Sequence, residues 1–213
     1  VMHDVLCALV SGYRIHLKLS SEDAVLPKYW ISQVEELIGE KLPITYVEKL
    51  NDADVIIATG SNNTHRYFEY YFRDKPSILR KSRSSVAVLP KQLELAQITG
   101  LGEDIFRYFG MGCRNVTQLW VPVGFEFAQL FETWHNTYQD LVNHHKYANN
   151  YNYHKALLLM NLDPHIDSGF VLFKERDSLH APVGLVNFSY YKDVKEVNSW
   201  LKSENEEIQC VLS

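Results

Sequence analysis

The sequence predicts an α/β protein with mostly parallel strands, and three observations carry that reading. Short apolar or alternating runs recur between stretches whose apolar residues fall at helical spacing. Glycines and polar clusters punctuate the junctions between them. Hydrophobic residues make up 46% of the 213, enough to bury a sizeable core. A strand–helix–strand rhythm of this kind implies parallel pairing with helices on the sheet faces, because parallel strands need a crossover between them.

The elements follow in order. Residues 5–10 read as the end of a helix that Gly12 stops, and 14–18 alternate like a strand. The polar run Ser20-Ser21-Glu22-Asp23 offers N-cap side chains to a helix whose apolar positions Trp30, Ile31, Val34, Leu37 and Ile38 share a face, with Gly39 as its stop. Strands are expected near 44–47 and 54–58, the second ending at Thr59-Gly60-Ser61. A helix over 63–72 follows, then extended segments at 77–79 and 85–89. The second half opens at Pro90, with helices over 91–98 and 102–109 and a strand over 116–121 that Pro122 ends. Residues 125–147 read as helical with one break, and 153–160 as a further helix. Strands at 169–174, 184–188 and 207–212 close the chain, with a helix over 194–201 between the last two. Two α/β lobes, 1–92 and 93–213, are the best division, without an internal repeat or a low-complexity linker.

Charge and cysteine usage narrow the function classes. The formal charge of -5, with acids and bases interspersed, leaves no basic stripe of the kind that neutralises a phosphate backbone, so nucleic acid is not an expected partner. Cys7, Cys113 and Cys210 are an odd set, far apart and without metal-ligand spacing, which fits a reducing compartment better than a disulfide scaffold. No apolar stretch approaches the roughly 18 residues of a membrane span, and no signal pattern opens the chain, so a soluble cytoplasmic protein is expected. His144 and His145 are adjacent and point to different helix faces, with His135 and His154 more than two turns away. They read as surface or interface histidines, and no metal site is expected. The aromatic run Tyr67, Phe68, Tyr70, Tyr71 and Phe72 has the spacing of packing residues and is given no ligand.

Three segments carry candidate chemistry. In Phe109-Gly110-Met111-Gly112-Cys113-Arg114-Asn115-Val116, two glycines let the backbone turn tightly beside a thiol and let a carbonyl approach it. The neighbouring Arg114 is a candidate to favour the thiolate, which is the attacking species. In Ile15-His16-Leu17-Lys18-Leu19-Ser20-Ser21, a lysine and two hydroxyls leave a strand together, a set suited to a ribose or a phosphate. In Ile56-Ile57-Ala58-Thr59-Gly60-Ser61-Asn62, a strand, a glycine turn and a helix start offer free N–H groups to an anion. Taken singly, each also reads as an ordinary loop: a packing cysteine in the first, N-cap turns in the others.

The order of these segments resembles the aldehyde dehydrogenase superfamily. Within it, His16-Leu17-Lys18-Leu19-Ser20-Ser21, Arg80-Lys81-Ser82-Arg83-Ser84-Ser85-Val86-Ala87-Val88-Leu89 and the run from Asp104 to Val116 around Cys113 look like the long-chain acyl-CoA reductases of the LuxC type. The cysteine segment is the most specific of these. The resemblance implies parts of two three-layer α/β/α lobes: over 1–92 the C-terminal part of a Rossmann-like cofactor-binding domain, over 93–213 a catalytic domain, the whole a partial segment of the family. It implies Cys113 as the nucleophile that takes the acyl group, Lys18 with Ser20 and Ser21 on the adenine-side ribose, and Thr59, Gly60 and Ser61 at the phosphates and nicotinamide side. Ser21 stands where many NAD-preferring relatives carry a glutamate, so NADPH is the expected cofactor, with NADH as the alternative.

In relatives that hydrolyse the acyl-enzyme, a glutamate follows the Thr-Gly-Ser turn; here that place holds Leu79. Without that base, water attack is poorly assisted, and the acyl group survives for hydride reduction. Glu103 and Asp104 lie near the cysteine and could substitute, although carboxylates at a helix start are commonly caps. The activity implied is NAD(P)H-dependent reduction of a long-chain acyl thioester, from coenzyme A or an acyl carrier, to the fatty aldehyde through an acyl-cysteine. The alternatives are a hydrolytic aldehyde dehydrogenase-like enzyme and an inactive fragment acting as an interaction module. A homo-oligomer is compatible with each.

Overall fold

A computed structural model describes every residue of the chain except 1, 21, 22, 51 and 61, and the side chains of 62 and 63. The chain divides into two compact units, Val1–Ser82 and Arg83–Ser213. The sequence boundary near residue 93 differs from this division by one strand. Residues 84–88 pair within the second unit, so they leave the first.

The first unit contains α1 (Met2–Val10), β1 (Ile15–Leu17), α2 (Val25–Ile38), β2 (Ile44–Tyr46), β3 (Ile56–Thr59), α3 (Asn62–Tyr71) and β4 (Ser77–Arg80). It is two strand–helix–strand crossovers in series. β1 pairs parallel to β2, with Leu17 opposite Tyr46, and β3 pairs parallel to β4, with Thr59 opposite Arg80. Val5, Leu17 and Ile31 form the small core shared by α1, β1 and α2. Gly39 ends α2 in a left-handed conformation (φ 71°), its N–H donating to the Glu35 carbonyl. Ala24 occupies the N-cap of α2 without a side-chain bond; of the expected cap residues, Asp23 donates its N–H to the Ser20 carbonyl at 3.3 Å, and Ser21 and Glu22 lie outside the described residues. The Arg80 guanidinium reaches the Asp4 carboxylate at 2.8 Å, tying the end of β4 to α1.

The second unit contains β5 (Ser84–Val88), α4 (Leu95–Phe106), β6 (Val116–Pro122), α5 (Ala128–Tyr138), α6 (His145–Met160), β7 (Ile166–Asp167), β8 (Leu172–Glu175), β9 (Leu185–Tyr191), α7 (Val194–Ser203) and β10 (Ile208–Leu212). Its sheet runs β10-β5-β6-β9-β8-β7, parallel throughout except for the short β7–β8 pair. Side chains alternate across the sheet. Ala87, Leu119, Val121, Phe173 and Phe188 meet α4 and α5 on one face. On the other, Val86 and Trp120 meet α7, and Leu172 and Leu185 meet α6. Three layers result, as expected.

Two helical boundaries differ from the sequence reading. The segments 91–98 and 102–109 are one helix, α4, opened by a capping box in which the Glu94 N–H donates to Gln97 Oε1 at 2.9 Å. Its Gly102 is a packing residue, since a Cβ there would stand 2.6 Å from Trp134 Nε1. That indole N–H donates to the Ile98 carbonyl at 2.7 Å and locks α5 onto α4. The single break expected within 125–147 is a 3-10 turn at Gln139–Asn143, after which α6 runs unbroken to Met160.

Candidate active site

Cys113 emerges from a turn built by the end of α4. After Arg107 the chain places Tyr108 (φ 54°), Phe109 (φ 60°) and Gly110 (φ 67°) in the left-handed region in succession. For the two L-residues with a Cβ this costs roughly 1–2 kcal/mol each. What holds the turn is Asn115, which is buried. Its Nδ2 donates to the carbonyls of Asp104, Ile105 and Arg107 at 3.0, 3.2 and 2.9 Å, and its Oδ1 accepts the Gly112 N–H at 2.7 Å. Gly112 is required, because a Cβ would lie 2.8 Å from that same Oδ1. The Phe109 ring stacks on His144, centroids 3.9 Å apart, while His144 Nδ1 caps α6 by accepting the Tyr147 N–H.

The thiol-bearing residue itself is exposed, as is Arg114. The fully buried Ser85 donates its hydroxyl to the Cys113 carbonyl at 3.3 Å, fixing the turn to the start of β5. Cys113 therefore stands at the amino-terminal edge of the sheet, the opposite edge from the one where ligands of open α/β sheets collect. Beside the turn lies a small recess of about 20 Å³, room for a single water, whose walls include Gly110, Val116, Tyr147, Ala181 and Val183. Thr117 also lines it, but its hydroxyl is engaged by the Leu179 carbonyl at 2.6 Å.

The other sequence candidates lie in the first unit. Lys18 and Ser20 are exposed just beyond the carboxyl end of β1, and Thr59 and Gly60 stand at the carboxyl end of β3. Ser21 and Ser61 lie outside the described residues. The two groups sit on separate two-stranded ladders. Gly60 donates its N–H to the Arg80 carbonyl, and a Cβ there would be 2.9 Å from the Thr64 side chain, so glycine lets α3 begin close against the strand. Leu79 lies on β4 opposite Ala58. Glu103 and Asp104 fall near the end of α4 and are not the helix-start caps the sequence suggested. Glu103 accepts the Tyr138 hydroxyl at 3.0 Å, and burial, then this bond, pushes that phenol up to about 12. Burial, followed by the charge of Glu103, raises the Asp104 carboxyl.

A second polar group was invisible in the sequence. Ser84 Oγ lies 3.4 Å from His180 Nδ1, and His180 Nε2 lies 2.9 Å from Glu207 Oε2. The three residues are far apart in the chain and share no local motif; the pairing of β10 with β5 brings Glu207 to Ser84, and the loop before β9, held by Asn187, brings His180. Among the described residues no group of three or more His, Cys, Asp or Glu side chains could hold a metal ion, and no helix is long and apolar enough to cross a membrane.

Comparison with solved structures identifies the fold. An indole-3-acetaldehyde dehydrogenase mutant from P. syringae, in complex with NAD+ and IAA, superposes with a TM-score of 0.72 at 13% identity, over 96% of this chain and 55% of that one. This is an aldehyde-dehydrogenase-like α/β fold. An aldehyde dehydrogenase from Mycobacterium tuberculosis complexed with NAD+ gives 0.69 at 14% identity over 96% and 56%. The NAD+ complex of aldehyde dehydrogenase from Bacillus cereus gives 0.68 at 14% over 98% and 56%. The chain thus spans a little over half the length of these aldehyde dehydrogenases. No protein-family profile matches the chain, and no curated protein matches it in sequence.

Proposed function

We propose that this chain carries the cysteine centre of an NAD(P)H-dependent reductase that converts a long-chain acyl thioester to the fatty aldehyde. The single observation behind this reading is the exposed Cys113 on a glycine turn braced by Asn115, within an aldehyde-dehydrogenase-like fold. The Cys113 thiolate attacks the thioester carbonyl, peptide N–H groups of the turn hold the oxyanion, and the donor thiol leaves. By the family resemblance, Leu79 stands where hydrolytic relatives carry the deacylating base, which supports an acyl-enzyme that persists.

The first unit fits a dinucleotide. An exposed amine and a hydroxyl at Lys18 and Ser20 suit a ribose and its phosphates, and the helix start after Gly60 suits a pyrophosphate. When bound, the nicotinamide would supply the hydride that reduces the acyl carbon. The serine at 21 carries no charge to repel a 2′-phosphate, which favours NADPH over NADH. That the comparison structures of the P. syringae, M. tuberculosis and B. cereus enzymes contain NAD+ supports a nicotinamide cofactor here.

Intact mass spectrometry of the chain mixed with palmitoyl-CoA tests the reading. The expected result is one thioester-linked acyl group that disappears in Cys113→Ala and that NADPH discharges as aldehyde. An adduct that survives the substitution would overturn it, and release of carboxylate without cofactor would favour the hydrolytic alternative.

A further inference from the structure

At the edge of the sheet where Cys113 stands, the relay Ser84–His180–Glu207 has no part in the chemistry just described. Its components are fixed by backbone. Ser84 begins β5 and donates its N–H to the Glu207 carbonyl at 3.0 Å, so the serine and the carboxylate residue are registered by the sheet itself. The His180 carbonyl accepts from the buried Asn187 Nδ2 at 3.2 Å and from Ser178 Oγ at 3.4 Å, which holds the loop before β9.

The polarity of the relay follows from its partners. A carboxylate on Nε2 keeps the proton on that nitrogen and leaves the Nδ1 lone pair facing the Ser84 hydroxyl. Carboxylate, imidazole and hydroxyl in this order form an activated nucleophile, with the two ring nitrogens in exchanged roles relative to the familiar serine triad. A purely structural role explains the arrangement poorly. The β5–β10 ladder already joins these strands, and a hydrogen bond whose His180 and Glu207 side chains are 42% and 34% exposed adds little stability. Ser84 is nearly buried while its base opens to solvent.

We propose that Ser84, with His180 as base and Glu207 as its orienting carboxylate, is a second acyl-accepting nucleophile that gives this protein a serine-type esterase activity independent of Cys113. Ser84 Oγ forms a bond to the ester carbonyl carbon as its proton passes to His180 Nδ1. The carbon–alkoxide bond then breaks, and the leaving alcohol takes that proton. Water, deprotonated in turn by His180, attacks the acyl-serine, releases the carboxylic acid and restores the hydroxyl. No oxidation or reduction occurs.

The experiment uses the whole chain carrying Cys113→Ala, so that the thiol contributes nothing, and two probes: a fluorophosphonate and p-nitrophenyl butyrate. The expected outcome is a single phosphonate adduct mapped by peptide mass spectrometry to Ser84. Ester hydrolysis should fall roughly 10²-fold or more in Ser84→Ala and in His180→Gln with the far-UV spectrum unchanged. Glu207→Gln should shift the pH–rate profile, an effect a packing role would not produce. No adduct on folded protein, an adduct at another residue, or Ser84→Ala hydrolysing at the unsubstituted rate would each overturn the proposal. None of these outcomes bears on acylation of Cys113.

Discussion

One amide side chain decides whether Cys113 stands clear of the sheet. Two left-handed L-residues cost roughly 2–4 kcal/mol together, and the four hydrogen bonds made by the Asn115 side chain contribute about 1 kcal/mol each, so the two terms nearly offset. Asn115→Leu keeps the volume but strands three carbonyls and the Gly112 N–H. We expect a loss of about 2–4 kcal/mol in urea unfolding, together with a changed rate of iodoacetamide alkylation at Cys113 as the turn relaxes. An unchanged unfolding midpoint would show that the turn holds itself. The glycines and the thiol were legible because their meaning is local: a turn needs Gly110 and Gly112 wherever the fold puts them. Asn115 stands two residues from Cys113, yet its function was hidden, since the carbonyls it gathers arrive only when α4 ends where it does. Ser84, His180 and Glu207 were hidden more deeply, their proximity being a property of strand order and of the loop before β9.

At the scale of elements, α6 shows how a helix without an apolar stripe is held. Its stretch Asn149-Asn150-Tyr151-Asn152-Tyr153-His154 carries no clear 3.6-residue pattern, which is why the sequence suggested separate pieces. The structure pins it instead through Asp167 on β7, which accepts from Tyr151 at 2.6 Å, from Lys155 at 2.7 Å and from the Gly169 N–H at 2.9 Å. Burial alone would raise the Asp167 carboxyl, but the hydrogen bonds from Lys155, Tyr151 and Gly169 outweigh it and hold the group below its ordinary value. A depressed carboxylate stabilises the fold fully above its unfolded pKa of about 4, and that contribution is lost as pH falls through the lower folded value. Thermal unfolding of the unsubstituted protein should therefore weaken more steeply between about pH 5 and pH 3 than that of Asp167→Asn. Parallel acid limbs would remove Asp167 as the anchor. The elements with clear periodicity, such as α2, β6 and α7, were by contrast placed to within a few residues by sequence alone.

For the molecule as a whole, the sequence conveyed the layered parallel architecture but set the division between lobes late. The reason lies in Ser84-Ser85-Val86-Ala87-Val88, which reads equally well as the last strand of one lobe or the first of the next, and whose partners β6 and β10 are both distant in the chain. The link before it, 81–83, is irregular, exposed and carries Lys81 and Arg83. Limited trypsin treatment should cut there first, giving two fragments by mass, the larger beginning at residue 82 or 84 and resisting further digestion. A first cut within either unit would argue against the division. The sheet order also has a consequence for biosynthesis. β5 is the first strand of its unit to leave the ribosome and β10 the last, yet the two are neighbours. A nascent chain therefore carries a β-prone, largely apolar segment with one flank unpaired while more than a hundred residues are still being translated. Closing this sheet therefore waits for β10, and a chaperone that shields β5 until β10 has emerged should raise the yield of the folded second unit.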